Sequence, residues 1–394
     1  MMTNAAKLKD GIYWVGALDW DIRNFHGYTT NRGSTYNAYL IIDEKITLVD
    51  TVKKPFAQEL IDRISEIIDP SKIDYLVSNH VEMDHSSSIP EIMKLAPNAT
   101  IVTSAPNGLK GLKAHYGDGY NYQPVKGGDV LKIGKRSLHF VQTPMLHWPD
   151  NMVTYCPEEK ILFSNDAMGQ HYTSTGRFDD EVDMDEVFQE AKKYYANILM
   201  VYGTQVQNIL PTIKSLDMDL VAPSHGIIWR KHISDIVGLY DKWSGGAGND
   251  NALIIYDTMY HSTETIARNI TETFIRAGKN AKLYNLQATN MSDIITEVLT
   301  AKYIAVGSST LNNNMLATVA AFLRYLKGLT TKDKIGMAFG SYGWSGQAAG
   351  QVEEILKDCG YETPFGLYKF QYIPQKEDLD KMSADILEKL KTLP

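Results

Sequence analysis

Apolar residues follow a regular alternation of two patterns in the second part of the chain. A continuous apolar run, Ala252–Tyr256, is followed by apolar residues at every fourth position, Ile266, Ile270 and Phe274. The first pattern predicts a strand buried on both faces and the second predicts one face of a helix. The alternation continues with strands at Lys282–Leu286, Tyr303–Gly307, Lys334–Phe339 and Leu367–Phe370, and helices near Ile294–Leu299, Leu316–Leu326, Ala348–Leu356 and Asp378–Leu393. It predicts an open parallel sheet of five strands.

Residues 1–243 show strands in succession instead of this alternation. The predicted strands are Ile12–Val15, Tyr36–Ile42, Ile46–Val49 and Tyr75–Val77, with a helix opened by Pro55, a strand-rich stretch at Asn121–Phe163 and helices at Glu186–Met200. Two clusters of strands with helices outside them predict an αββα sandwich, so both parts are of the α/β class. Ser244–Asn251 has the composition of a flexible linker. We therefore expect domains at residues 1–247 and 248–394.

The composition excludes several classes of protein. Lys and Arg number 39 against 47 Asp and Glu, a net charge of −8, whereas a nucleic-acid-binding protein needs a basic face. No apolar run approaches the ~18 residues that span a bilayer. Cys156 and Cys359 are too few for a disulfide framework or a four-cysteine metal site. We expect a cytoplasmic protein that binds neither nucleic acid nor membrane.

A dense group of potential metal ligands follows the predicted strand Tyr75–Val77. The residues His80, Glu82, Asp84 and His85 form the pattern H-x-E-x-D-H at the carboxyl end of that strand, where α/β folds place their chemistry. The side chains at the alternating positions of this pattern can converge on one metal ion. The adjacent pair Asp84 and His85 can reach a second ion. The alternative is a polar loop that caps the next helix. By chance, this pattern would arise about once in a thousand chains of average composition, which argues against the alternative.

Three further candidate ligands come directly after other apolar stretches: His147, Asp166 and His225. A lone histidine is more often an ordinary core or surface residue, so each is weak evidence by itself. With the first group they supply four histidines, one glutamate and two aspartates, enough for two metal ions with Asp166 between them. A bridging carboxylate holds two metals ~3.5–4 Å apart. These ligands suit iron as well as zinc.

The order of these seven residues resembles that of the metallo-β-lactamase fold, whose zinc hydrolases carry H-x-H-x-D-H. Glu82 takes the place of the second histidine, and this change resembles the flavodiiron protein (A-type flavoprotein) family, as do phrases such as Gly11–Gly16 and Ser224–Ile228. The resemblance implies two irons, one held by His80, Glu82 and His147, the other by Asp84, His85 and His225, with Asp166 bridging. Some members of the family do not use the histidine that corresponds to His85.

A second candidate site lies in the predicted parallel sheet. Its first strand runs into hydroxyl residues at a helix N-terminus, which suits one phosphate, although an ordinary helix cap is the alternative. The loop lacks the glycine patterns of dinucleotide and nucleoside triphosphate sites. Together with two other polar loops it resembles a flavodoxin that binds FMN, with Trp344 as the best stacking candidate. The resemblance implies FMN contacts from Thr258, Met259, Tyr260, His261, Ser262, Thr263, Thr310, Leu311, Asn312, Asn313, Ser341, Tyr342, Gly343, Trp344, Ser345 and Gly346.

The family resemblance also implies an activity. Reduced FMN would pass electrons to a non-haem diiron centre that reduces dioxygen to water or nitric oxide to nitrous oxide. His26, His171 and Tyr195 are candidate proton donors in the iron pocket, with plain structural hydrogen bonding as an equal alternative. The family forms head-to-tail homodimers, or tetramers of them, in which each flavin faces the irons of the partner. The sequence has no cysteine-rich module, so we expect a separate electron donor such as rubredoxin or a reduced deazaflavin coenzyme.

Two other classes of function stay open from the sequence. One is a zinc hydrolase fused to a flavodoxin, which metal analysis of anaerobically purified protein would distinguish. The other is a non-catalytic electron carrier or redox sensor, which turnover assays would distinguish. The sequence does not decide between dioxygen and nitric oxide, since both bind open diferrous sites.

Overall fold

The computed structural model describes residues 4–246 and 249–393, and the domain boundary expected between residues 247 and 248 lies outside the described residues. The described chain divides into two units. The first runs to Tyr194 and resumes at Thr204–Ser244, whereas the second combines Tyr195–Gly203 with the chain from Gly245 onwards. No helix in the described ranges has both the length and the apolar character needed to cross a membrane.

The first unit is built from two large sheets, two short strand pairs and the helices between them. The strands are β1 (Ala6–Lys9), β2 (Ile12–Trp14), β3 (Ala17–Asp19), β4 (Asn24–Phe25), β5 (Tyr28–Thr29), β6 (Ser34–Tyr36), β7 (Tyr39–Ile41), β8 (Thr47–Val49), β9 (Tyr75–Ser78), β10 (Thr100–Ser104), β11 (Asn121–Val125), β12 (Val130–Lys132), β13 (Ser137–Gln142), β14 (Met152–Cys156), β15 (Ile161–Asn165) and β16 (Leu220–Pro223). The helices are α1 (Ala57–Ser65), α2 (Met83–Ser86), α3 (Ile89–Leu95), α4 (Asn107–Tyr116), α5 (Met184–Tyr194), α6 (Gly203–Lys214) and α7 (Ile233–Ser244).

The two large sheets have the orders β1-β2-β7-β8-β9-β10-β11 and β12-β13-β14-β15-β16. Apolar side chains from both, including Val77 and Phe163, form one buried cluster between them. A second buried cluster packs Leu60, Ile92 and Leu112 of α1, α3 and α4 against the other face of the larger sheet. Because each sheet must bury an apolar face, this layering is the stable arrangement, and it confirms the predicted sandwich.

One predicted strand is wrong. The apolar stretch Tyr36–Ile42 is not one strand but two, because the chain leaves the pairing of β6 at Tyr36 and resumes it with other partners in β7. Between them the backbone N–H of Asn37 donates to the carbonyl of Ser224 at 2.7 Å, and its side-chain amide donates to the carbonyl of Pro223 at 2.8 Å. These bonds tie the break to the loop that carries His225.

The second unit is a parallel sheet with helices. Its strands are β17 (Asn251–Tyr256), β18 (Asn280–Asn285), β19 (Tyr303–Leu311), β20 (Asn314–Met315), β21 (Ile335–Tyr342) and β22 (Leu367–Gln371), and its helices are α8 (Ser262–Arg276), α9 (Met291–Val298), α10 (Ala317–Leu329), α11 (Gln347–Asp358) and α12 (Lys376–Leu390). The order β18-β17-β19-β21-β22 is parallel throughout. This is the flavodoxin-like order, and it confirms the five predicted parallel strands. The short strand β20 adds an antiparallel pairing to β19.

Candidate metal centre and ligand cavity

The seven candidate ligands of the first unit meet in one place. Four of them surround the start of α2, which follows β9, and the others lie on the loops after β13, β15 and β16; in chain order they are His80, Glu82, Asp84, His85, His147, Asp166 and His225. Strands β8 to β11 of the larger sheet are parallel to one another, as are β15 and β16 of the smaller sheet, so within each sheet the loops after these strands leave from the same edge. The ligands on loops of both sheets meet, although they are far apart in sequence.

Asp166 lies between two pairs of histidines. Its Oδ2 is 3.6 Å from Nε2 of His147 and 3.8 Å from Nε2 of His80. Its Oδ1 is 3.1 Å from Nε2 of His85 and 3.6 Å from Nε2 of His225. Each oxygen thus faces a different pair of imidazoles, which is what a carboxylate bridging two metals needs.

The other two carboxylates complete one group each. Oε2 of Glu82 is 3.2 Å from Nε2 of His147 and 3.3 Å from Nε2 of His80. Oδ2 of Asp84 is 3.1 Å from Nε2 of His225 and 3.3 Å from Nε2 of His85. The spatial groups are those that the family resemblance implies for two separate ions.

The carboxylates give the cluster a strong affinity for positive charge. Burial on its own lowers the pKa of His80, but hydrogen bonds with Asp150 and Glu82 outweigh burial and raise that pKa to about 10. The pKa of His147 is also raised to about 10, because Asp166 and Glu82 outweigh burial there. Burial raises the pKa of Asp166, yet the surrounding histidines hold it well below its usual range. Protons or metal cations can supply the positive charge that these groups stabilise.

Several buried atoms of the cluster lack a hydrogen-bond partner among the described residues: Oδ1 of Asp84, Oδ2 of Asp166 and Nδ1 of His85. An unpaired buried polar atom costs ~1–3 kcal/mol, so a concentration of them fits a site that an ion completes. Imidazole nitrogens and carboxylate oxygens in two groups suit a pair of iron or zinc ions. The residues therefore fit a two-metal centre.

Groups outside the cluster orient two of the imidazoles. Oδ2 of Asp150 accepts a hydrogen bond from Nδ1 of His80 at 2.8 Å, and the carbonyl of Thr35 accepts one from Nδ1 of His225 at 2.6 Å. Metal-binding histidines usually donate their second nitrogen in this way. Nδ1 of His85 has no such partner in the described chain, which sets this histidine apart.

Two of the three expected proton donors lie beside the cluster. Nε2 of His26 is 2.9 Å from Oε1 of Glu82. The ring of His171 is buried with its centroid 4.8 Å from that of His225, and its Nδ1 is 2.7 Å from the hydroxyl of Ser34. Burial, reinforced by His225 and His26, holds the pKa of His171 well below its ordinary value. The imidazole of His171 is therefore neutral near pH 7.

The tyrosine at the cluster is Tyr194, whose hydroxyl donates to Oδ1 of Asp166 at 3.0 Å. The sequence singles out its neighbour Tyr195, which the structure assigns to the second unit. Consecutive residues of a helix point about 100° apart, so the sequence phrase does not reveal which ring faces the cluster. The helix predicted to reach Met200 also changes here, because α5 ends at Tyr194 and Tyr195–Leu199 is π-helical.

A cavity of about 560 Å³ opens at the carboxyl edge of the sheet in the second unit. Three loops expected to bind FMN contribute most of its lining: Met259, Tyr260, Ser262, Thr310, Leu311, Asn312, Asn313, Ser341, Tyr342, Gly343 and Trp344. The side chains of Tyr260 and Trp344 are exposed at its rim. Aromatic rings at the mouth of a cavity suit a flat aromatic ligand.

Other expected flavin residues lie behind or beside this cavity. Among the described residues near it, Thr258, His261, Thr263, Ser345 and Gly346 are not part of the lining. The buried hydroxyl of Thr263 lies 2.9 Å from that of Ser309 and 2.8 Å from that of Ser341, both of which line the cavity. The hydroxyl of Thr258 is buried and has no partner among the described residues. These hydroxyls fit a site that a phosphate completes.

Three lining residues escaped the sequence analysis: Ser309, Tyr372 and Ile373. Strand β22 is parallel to β21, with Gln371 opposite Tyr342, so the loop after β22 reaches the same edge as the other three. The polar and aromatic residues that follow the predicted strand Leu367–Phe370 were the sequence signal for Tyr372 and Ile373.

Comparison with known proteins agrees with this arrangement. The family described as ODP family beta lactamase matches residues 35–226, and the flavodoxin family matches residues 254–384. Among solved structures, the rubredoxin oxygen:oxidoreductase of Desulfovibrio gigas superposes with a TM-score of 0.95 at 38% identity, covering 99% of both chains. The flavodiiron protein of Giardia intestinalis has a TM-score of 0.94 at 35% identity, covering 98% of this chain and 96% of that one.

Relatives in sequence extend over nearly the whole chain. The nitric oxide reductase of Moorella thermoacetica is 46% identical over 390 residues, which is 96% of each protein. The anaerobic nitric oxide reductase flavorubredoxin of Escherichia coli is 40% identical over 383 residues, covering 95% of this chain and 79% of that protein. The chain belongs to the flavodiiron protein family and is an oxidoreductase.

Proposed function

We propose that the enzyme holds two iron ions in the seven-residue cluster and FMN in the cavity, and that it reduces dioxygen to water, nitric oxide to nitrous oxide, or both. The observation that carries the proposal is Asp166, whose two oxygens face two different pairs of histidines. When bound, FMN would supply reducing equivalents and the irons would supply electrons and open coordination positions for a gas molecule. Relatives named for each gas support both substrates.

Glu82 supports iron over zinc. It stands where the zinc hydrolases of this fold carry a neutral histidine, and its Oε2 faces His80 and His147. An anionic ligand stabilises the higher metal charge that a redox iron reaches and zinc does not. With Asp84 and Asp166 it gives the cluster three carboxylates.

The protein's own groups hold protons at defined atoms around the cluster. A proton on Nε2 of His26 would be shared with Oε1 of Glu82, which leaves Oε2 free to bind metal. The hydroxyl of Tyr194 donates to Oδ1 of Asp166 and so fixes the rotation of the bridging carboxylate. The neutral ring of His171 lies beside His225, and we keep His171 as a further candidate proton donor. We propose His26, which contacts Glu82, and Tyr194, which contacts Asp166, as proton donors at the cluster, and we keep Tyr195 as the sequence-based candidate.

The flavin assignment rests on the second unit alone. The cavity has exposed rings at its rim and buried hydroxyls beneath its floor, as the flat ring and single phosphate of FMN require. We propose that Trp344 stacks on the flavin and that the loop from Thr258 to Thr263 holds the phosphate.

The electron path needs partners outside one chain. We propose a separate donor such as rubredoxin, because relatives carry rubredoxin in their names, with a reduced deazaflavin coenzyme as the other candidate. We also propose a cytoplasmic head-to-tail homodimer, or a tetramer of such dimers, in which the flavin of one chain serves the irons of the other.

The decisive experiment measures consumption of each gas by the prereduced enzyme under anaerobic conditions, with metal analysis of the same sample. We expect about two irons per chain and consumption of at least one gas. The matched control is His147→Ala, which should keep FMN and lose both iron and gas consumption. Stoichiometric zinc, with no gas consumption after reconstitution with iron, would reject the proposal.

A further inference from the structure

A buried polar network lies directly beneath the metal cluster. Its members are Asp50, Asn79, Asn151 and Asn165, each no more than 2% exposed, and we call them the asparagine network. None of them is among the seven candidate ligands. Buried amides and carboxylates are costly unless they are bonded, so a network of this extent implies a specific role.

The network holds the loop that carries His80. The backbone N–H of Asn79, the residue before His80, donates to Oδ1 of Asp50 at 2.8 Å, and its side-chain amide donates to Oδ2 of Asp50 at 3.0 Å. Its side-chain oxygen accepts from the hydroxyl of Thr154 at 2.7 Å. Next to Asp50, the hydroxyl of Thr51 donates to the carbonyl of His85 at 2.6 Å.

Asn165 joins this loop to two others. It immediately precedes Asp166 and has a φ of +51°, a conformation that asparagine tolerates better than most residues. Its Nδ2 donates to Oδ2 of Asp50 at 3.4 Å and to the hydroxyl of Ser224 at 3.0 Å, and Ser224 immediately precedes His225. One side-chain amide thus contacts the supports of both halves of the cluster.

Asn151 adds the loop that carries His147. Its Nδ2 donates to Oδ1 of Asn165 at 3.3 Å, and its Oδ1 accepts from the backbone N–H of Trp148 at 2.5 Å. Trp148 directly follows His147. Every loop that carries a candidate ligand is therefore bonded to the network or to a residue beside it.

We propose that Asn165 is a positioning residue that makes the two halves of the metal centre form together. Asp166 has to face both halves, and the side chain of Asn165 ties the residue before it to the supports of His80, His147 and His225. An ion that fixes one half then orders the other half through the same amide, so the two ions load in one concerted step. This inference rests on the proposed two-metal site.

The test is an anaerobic titration of metal-free protein with Fe²⁺, and with Co²⁺ for its visible absorption. The wild-type chain should bind both ions in one transition. Asn165→Gly accepts the positive φ and removes only the side chain, so it should fold. It should bind the second ion about 10–100-fold more weakly and fill in two resolved steps. Asn151→Ala, which removes one bond to Asn165, should shift the titration in the same direction by less.

A matched control separates this role from general support of the fold. Leu131→Ala removes a buried side chain from the core between the same two sheets, outside the network. It should lower stability and keep one-step loading. In metal-free protein, amide hydrogen exchange in peptides covering residues 79–85 and 224–226 should become faster together in Asn165→Gly and not in Leu131→Ala.

Two results would overturn the inference: resolved steps in the wild-type titration, or one-step loading with wild-type affinity in both Asn165→Gly and Asn151→Ala. If Asn165→Gly fails to fold, Asn151→Ala decides, by its titration and by the same exchange measurement made on that variant. Cooperative binding of two ions without gas consumption would reject the proposed reaction alone. Gas consumption by the wild type with unchanged loading in the variants would reject this inference alone.

Discussion

Lys334 makes the stability of the second unit depend on pH. Its side chain is 3% exposed, and its Nζ donates to the carbonyl of Ala301 at 2.8 Å. Burial lowers the pKa of this ammonium from 10.5 to about 8, and the opposing effect of Asp333 is smaller. Replacement by Met keeps an unbranched apolar chain at this position and removes the charge.

The sign and size of the effect follow from proton binding. Between pH 8 and pH 10.5 the unfolded chain keeps the Lys334 proton while the folded chain has lost it, so the free energy of unfolding rises with pH. Each pH unit of this window is worth about 1.4 kcal/mol, which gives about 3 kcal/mol over the whole window. Below pH 8 both states are charged and this gain is absent. We expect Lys334→Met to lack the rise.

The two cysteines allow each unit to be followed separately. Cys359 is buried in the second unit and Cys156 in the first, so alkylation of each thiol in urea reports the unfolding of its own unit. From pH 8 to pH 10 the wild-type midpoint at Cys359 should rise relative to that of Lys334→Met, while the two midpoints at Cys156 stay equal. The exposed Lys332→Met is the matched control. A constant difference at Cys359 across this pH range would refute the assignment.

Four further predictions concern the sites and the units. His80→Ala should lose most of the about two irons per chain in metal analysis, because an incomplete ligand shell binds weakly; full retention of iron would contradict the ligand set. Thr263→Asp should weaken FMN binding at least about tenfold in a fluorescence titration, since it places negative charge beneath the phosphate; a preference of the wild type for FAD or NAD would contradict the flavin assignment. An iron-free His147→Ala chain mixed with an FMN-free chain, Thr263→Asp with Trp344→Ala, should recover gas consumption after subunit exchange; verified exchange without recovery would reject transfer between chains. Asn197→Ala should destabilise the second unit by about 1–3 kcal/mol, because the hydroxyl of Tyr325 loses its acceptor, Oδ1 of Asn197; an unchanged urea midpoint would contradict this role of the hydrogen bond.

The sequence predicts most of the fold because the element types differ in period. The fourfold spacing of Ile266, Ile270 and Phe274 gives the buried face of α8, and all three are fully or almost fully buried. The break between β6 and β7 is not predictable in the same way. It depends on a bond from Asn37 to Ser224, a contact that no local pattern encodes.

The candidate ligands were predictable because His and Asp right after an apolar strand are unusual and their type suggests a role. The residues that orient these ligands were not predictable from the sequence. Asp150 orients His80 from 70 positions away, and an aspartate in a loop does not show which histidine it will meet. Tyr194 and Tyr195 are identical in type and adjacent, so only the rotation of the helix distinguishes them.

The segment Tyr195–Gly203 constrains how genes for the two units can be recombined. A crossover at the glycine-rich linker would leave this segment attached to the first unit, although the structure assigns it to the second. Its buried side chains, including Tyr195, Leu199 and Met200, would then need a new covering surface. A successful exchange of the second unit between lineages must therefore preserve a matching surface, and a lineage that sheds that unit must replace these apolar residues with polar ones.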